Sequence, residues 1–132
     1  MSRRRSIEVH GLHHGGLPIP IASVVDNVLF SGGIAGMDAE TGKIPNDAVS
    51  QVVHLFKNIE KIVEAAGGTT NDIVKVTLYV LDRSIREAID QEWVQMFPNE
   101  ESRPARHTIV YAHLPATLVV QAEIQAILKE RF

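Results

Sequence analysis

The sequence predicts an α+β domain built on a single mixed β-sheet with two helices packed on one face, in the order ββαβαββ. Two helical stripes, two alternating segments and their order along the chain predict it. Val49, Val52, Val53, Phe56, Ile59, Val63 and Ala66 recur at the spacing of an amphipathic helix, and Ile85, Ala88, Ile89, Trp93, Met96 and Phe97 repeat the pattern. Residues 73–81 and 118–128 alternate instead with the two-residue period of a strand that has one buried side. Strands separated by helices need crossover connections, which places parallel and antiparallel pairs in one sheet and both helices on the same side of it.

Residues 1–16, rich in glycine and histidine, are expected to be a flexible lead-in, leaving room for one extra N-terminal strand, and residues 17–132 a single folded domain. Asp26-Asn27 breaks the apolar run Val24 to Ile34 into a strand, a turn and a strand that ends at Ser31-Gly32-Gly33. Gly36 to Asp47 carries turn residues throughout and is expected to be a surface loop. The first helix is capped by Asn46 or Asp47 and stopped by Gly67-Gly68, giving about five turns. In the next strand Val74, Val76, Leu78 and Val80 take one face, with Lys75, Thr77 and Tyr79 on the other. Ser84 and Glu87 fit a capping box that opens the second helix, and Pro98 stops it. His107 to His113 and Leu118 to Leu128 form the last two strands around Leu114-Pro115-Ala116-Thr117. Leu118, Val120, Ala122, Ile124, Ala126 and Leu128 share the buried face of the final strand, opposite Gln121, Glu123 and Gln125.

A chain of 132 residues, 45% hydrophobic and 22% charged, suits one globular domain. At that length roughly two-thirds of the unfolded surface is buried, enough for a core without metals or disulfides. With no cysteine, thiolate catalysis, disulfides and cysteine zinc sites are excluded, and a cytoplasmic location is expected. Arg3, Arg4 and Arg5 are followed by histidines, glycines and prolines rather than by the apolar run of an export signal. The formal net charge is −3 and the basic residues are scattered, so neither nucleic acid nor membrane is an expected partner. His10, His13 and His14 cluster without a carboxylate pair, and no metal site is expected there. The glycine-rich stretches are not followed by the Lys-Ser/Thr of a phosphate loop, and no cofactor is implied. The sheet face carrying Thr77, Tyr79, Glu123 and Gln125 is too polar for a second core yet rich in carbon. It is expected to pack against another subunit.

Four motifs in order carry a family resemblance: N-x-x-x-SG at Asn27 to Gly32; TGKIP at Thr41 to Pro45; EAAG at Glu64 to Gly67 with DIVKVTLYVLD at Asp72 to Asp82; and RPAR at Arg103 to Arg106 with Leu114-Pro115 beyond it. Together they resemble the Rid (YjgF-like, L-PSP endoribonuclease) family from about Pro18 to Leu128. The resemblance implies a chorismate-mutase-like fold and a homotrimer with a cleft at each subunit interface. In active members it implies hydrolysis of 2-imino acids to 2-keto acids and ammonia.

Carried over to this chain, the resemblance makes Arg106 the anchor for a substrate carboxylate, for which a guanidinium supplies a planar, permanently charged fork. Arg103 is a second guanidinium on the same loop and is open to a ligand, surface or interface role. Ser31 occupies the place of a pocket serine, with Gly32 and Gly33 allowing close backbone approach. At four positions the chain departs from the family: Ile19 stands for a tyrosine, Asp90 for an asparagine, Thr108 for a cysteine and Gln121 for the glutamate that activates water. An amide is not a general base near neutral pH. Glu123, two residues on and therefore on the same face, is the alternative base or else an interfacial carboxylate. His107 is expected on the face opposite Arg106. Trp93, Met96 and Phe97 are expected in the core.

Two kinds of function remain open. One is an imine or enamine deaminase, including the 2-aminomuconate type; the other is a non-catalytic module that holds a keto acid or amino acid in the same arginine pocket. The ribonuclease of the older family label fits poorly with an acidic chain that has no histidine pair at acid–base spacing.

Overall fold

The structure is a computed structural model that describes residues 3–129. The described residues form seven strands in one sheet and two α-helices: β1 (Arg4–Ile7), β2 (Ala22–Val25), β3 (Val28–Ser31), β4 (Ile34–Ala35), α1 (Ala48–Ala65), β5 (Ile73–Val80), α2 (Arg86–Met96), β6 (Ala105–Val110) and β7 (Val120–Ile127). Strand order is β1-β2-β3-β7-β5-β6, with β4 pairing β7 beyond the end of β3. Only the β5–β6 pair is parallel among these strands, and α2 is its crossover, so the sheet is mixed as expected. β1 is hydrogen-bonded to β2 over all four residues, so part of the N-terminal stretch expected to be a flexible lead-in is instead an edge strand.

The alternation places the two faces as the sequence requires. Val76, Leu78, Val80, Val120, Ala122, Ile124 and Ala126 are buried against the helices, which contribute Leu55, Ile59, Ile62 and Ile89. Two buried amides fasten α1 to the sheet and loops. Asn58 donates to the carbonyls of Ala35 and Met37 at 2.9 and 2.8 Å. Gln51 donates to Pro45 and Thr117 at 3.0 and 3.1 Å and accepts from the Val119 N–H at 2.9 Å. The helix comes so close beside β4 that a Cβ on Gly36 would lie 2.0 Å from the Gln51 carbonyl oxygen.

Local details depart from the pattern at three places. A bulge between Ile73 and Lys75 turns Val74 out of the buried row, and it is exposed. Val49, on the predicted helical stripe, is also exposed, in the first turn of α1. Ser84 and Glu87 do not form a capping box. Asp82 caps a single 3-10 turn over Arg83–Ile85, accepting the Ser84 N–H at 2.8 Å and the Ser84 hydroxyl, and α2 follows without a side-chain cap. At α1 the cap is Asp47, which accepts from Ser50 N–H.

Candidate active site

Arg106 stands on β6, the last strand of the sheet, and the parallel register sets it beside Val76, on the side the helices cover. Residues of α2 meet it there. Asp90 Oδ1 accepts from Arg106 Nη2 at 2.7 Å, and the Trp93 ring centroid lies 5.1 Å from Cζ, a stacking distance for a guanidinium. Asp90 and Trp93 are three residues apart and so share one helix face. Trp93 is in turn braced edge-on by Phe97, with centroids 4.8 Å apart. These contacts hold a long flexible side chain in one position. The Arg106 side chain is only 18% exposed, while that of Asp90, which opens toward solvent, is 50% exposed.

A cleft of about 310 Å³ opens in front of this pair. Val80, Ile85 and Ile89 give it apolar walls, and Thr108 joins Arg106 and Asp90 at its edge. Three of the residues singled out from sequence are thus brought together. Asp82, Arg83 and Arg86 line the same cleft and were not singled out. Arg86 Nε is 3.9 Å from Asp90 Oδ2, an i,i+4 pair whose spacing is the one sequence signal that connects it to the site. The side-chain and backbone hydrogen bonds from Ser84 hold the Asp82 carboxyl below the usual carboxylate range, which keeps the turn at the cleft wall capped by an anion.

Gln121 and Glu123 lie elsewhere. They occupy the open face of β7, in register with Tyr79 and Thr77 of β5. The Gln121 amide rests against Gly33, where a Cβ would come within 2.5 Å of Nε2, and it lines a second cleft of about 360 Å³ with Leu12, Ile21, Ile34 and Leu118. Glu123 Oε1 accepts from the Tyr79 hydroxyl at 3.0 Å, and that bond pushes the phenol's pKa up. Arg106 and these two residues therefore face opposite sides of the same sheet.

The remaining candidates have local partners. The Ser31 hydroxyl accepts the Ile124 N–H and donates to the Gly32 carbonyl, each at 2.8 Å, and so bridges the gap in pairing between β3 and β4 along β7. Ile19 is exposed and lines neither cleft. Arg103 Nε donates to the Phe97 carbonyl at 2.8 Å, fixing the loop before β6. His107 pairs with Thr77 on the open face, opposite Arg106 as expected. His13 accepts from the Gly15 N–H at 3.0 Å through Nδ1, and its Nε2 lies 3.0 Å from the Gly42 carbonyl, so the ring clasps the N-terminal stretch to the loop after β4.

The two-helix, mixed-sheet architecture and the motif residues around Arg106 define an α+β fold of the chorismate-mutase-like type. The family described as Endoribonuclease L-PSP matches residues 20–129. The chain belongs to this family, the YjgF-like or Rid proteins. A RutC family protein of Aquifex aeolicus is 34% identical over 115 residues, covering 83% of this chain and 92% of that one. A 2-iminobutanoate/2-iminopropanoate deaminase of Escherichia coli K12 is 32% identical over 102 residues, covering 76% and 80%. The crystal structure of RidA from the Antarctic bacterium Psychrobacter sp. superposes with a TM-score of 0.85 at 29% identity, covering 94% of this chain and 99% of that one.

Proposed function

We propose that the protein hydrolyses 2-imino acids to 2-keto acids and ammonia, with the substrate carboxylate anchored on Arg106 and the cleft completed by a second chain of a homotrimer. The observation that carries this reading is the held guanidinium: Arg106 is stacked, oriented and largely buried at the edge of a cleft of a size suited to a small molecule. Hydrogen bonds from a charged donor contribute about 1.5–3 kcal/mol each, enough to fix a small anion in place. Membership of a family in which a relative is named as an imine deaminase supports the reaction class. In that reaction water adds to the C=N carbon to give a carbinolamine. The C–N bond then breaks, its electron pair leaves with the nitrogen as ammonia, and the oxygen becomes the keto group. The need for a second chain follows from the placement of Arg106 and Gln121 on opposite faces of one sheet.

A second reading, a binding module without turnover, is favoured by one specific observation. The open face presents an amide at Gln121, and the neighbouring carboxylate of Glu123 already accepts from Tyr79. Ammonia release from 2-iminopropionate, generated in situ by an amino-acid oxidase acting on alanine, separates the two. The deaminase reading expects acceleration by the wild type and a fall of at least about tenfold in kcat/KM for Arg106→Ala, equivalent to about 1.4 kcal/mol. Arg103→Ala, whose side chain is turned to the Phe97 carbonyl, should match the wild type. No acceleration by the wild type, with pyruvate still bound, would establish the binding module instead.

A further inference from the structure

We infer that Asp90 is a specificity-determining residue, making this cleft select ligands that carry a cationic nitrogen next to the carboxylate over the corresponding keto acids. The inference rests on the reading of Arg106 as the carboxylate anchor and goes beyond it. Arg106 does not present a bare positive charge. Asp90 Oδ1 sits 2.7 Å from Nη2, so one edge of the guanidinium is occupied by a carboxylate before any ligand arrives. A keto acid brought to the remaining donors keeps their hydrogen bonds but also meets the repulsion of Asp90, which offsets part of the attraction. An iminium or ammonium acid meets the same pair as a complement, its carboxylate on Arg106 and its nitrogen on Asp90.

The surroundings agree with this division of labour. The Asp90 side chain is half exposed toward the cleft, so a ligand can reach it, whereas Arg106 is held back against Trp93. Asp90 Oδ2 is 3.9 Å from Arg86 Nε, beyond a normal hydrogen bond, and so keeps acceptor capacity for an N–H donor. Arg83 and Arg86, both exposed, line the same cleft and draw anions toward it, and Arg86, at ion-pair distance from Asp90, offsets part of that carboxylate's charge on the solvent side.

The pair also favours binding of the protonated substrate and release of the product. The protonated C=N bond is the form most open to attack by water, and it is the form Asp90 favours. Once ammonia has left, the product has lost the cation that balanced Asp90, and the same carboxylate that drew the substrate in now repels the keto acid.

L-alanine and pyruvate share a carbon skeleton and differ in this one feature, so calorimetric titration of both tests the idea. The wild type should bind L-alanine about tenfold or more tighter than pyruvate. Asp90→Asn, close to isosteric, should weaken L-alanine and tighten pyruvate so that the preference is lost, and Asp90→Glu should keep it. An unchanged ratio in Asp90→Asn, or equal weakening of both ligands, would overturn the inference and leave Asp90 as a positioning residue for Arg106. Arg106→Ala distinguishes the underlying reading. Loss of both ligands supports the anchor whatever Asp90 does, and retention of both would remove the anchor and the inference together.

Discussion

At the scale of single residues, chemistry was more legible than direction. The motif marks Arg106, and alternation places His107 on the opposite face, as the register of β6 bears out. Which face belonged to which residue was not readable, because it depends on a parallel register with β5 and on α2 lying over that edge, neither of which is local. The same holds for Asp90. The sequence marks a carboxylate at this position, but the 2.7 Å ion pair exists only because residues 16 apart in sequence meet. Ser31 illustrates the opposite case, a residue of suitable chemistry whose hydroxyl has backbone partners on both sides. Gln121 gives the sharpest residue-level expectation. If turnover is limited by the missing base, Gln121→Glu should raise kcat for 2-iminopropionate at least about tenfold, a modest share of the 10²–10⁴-fold typical of a positioned base. Ammonia-release kinetics on the variant check this, and an unchanged kcat would mean that water is activated without a carboxylate at this position.

Elements with strong local periodicity were the legible ones. The stripe of α1 and the alternation of β5 and β7 come from many residues that agree with one another. The departures at the level of whole elements are short or irregular. β1 is four residues with charged Arg4 and Arg5, a pattern suited to an edge strand but too brief to stand out. The Ile73–Lys75 bulge breaks period two at one residue, and the cap of the second helical segment sits two residues earlier, at Asp82. Buried polar side chains hold the elements together in ways no periodicity reveals. Gln51 lies on the apolar side of α1 and serves two carbonyls and one N–H of two loops. Gln51→Ala would leave those backbone groups buried without partners and should destabilise the fold by about 2–4 kcal/mol. Denaturant unfolding at fixed protein concentration measures it; a change under about 0.5 kcal/mol would mean water replaces the amide without loss.

At the scale of the whole molecule, one face of the sheet is closed by helices and the other is not. Phe30 and Ile127 stand exposed on that open face among Lys75, Tyr79, Gln121 and Gln125. The candidate site is divided in the same way, with Arg106 on the covered side of the edge strand and Gln121 and Glu123 on the open side. A single chain offers no route by which one small ligand touches both, whereas a cyclic assembly lets one subunit's edge meet the next subunit's face. Sedimentation equilibrium of the wild type over a wide concentration range therefore tests the central claim most directly. A closed species of three chains, stable on dilution, is the expected result. A monomer at every concentration would contradict it, because Arg106 and Gln121 would then have no common cleft in which to act.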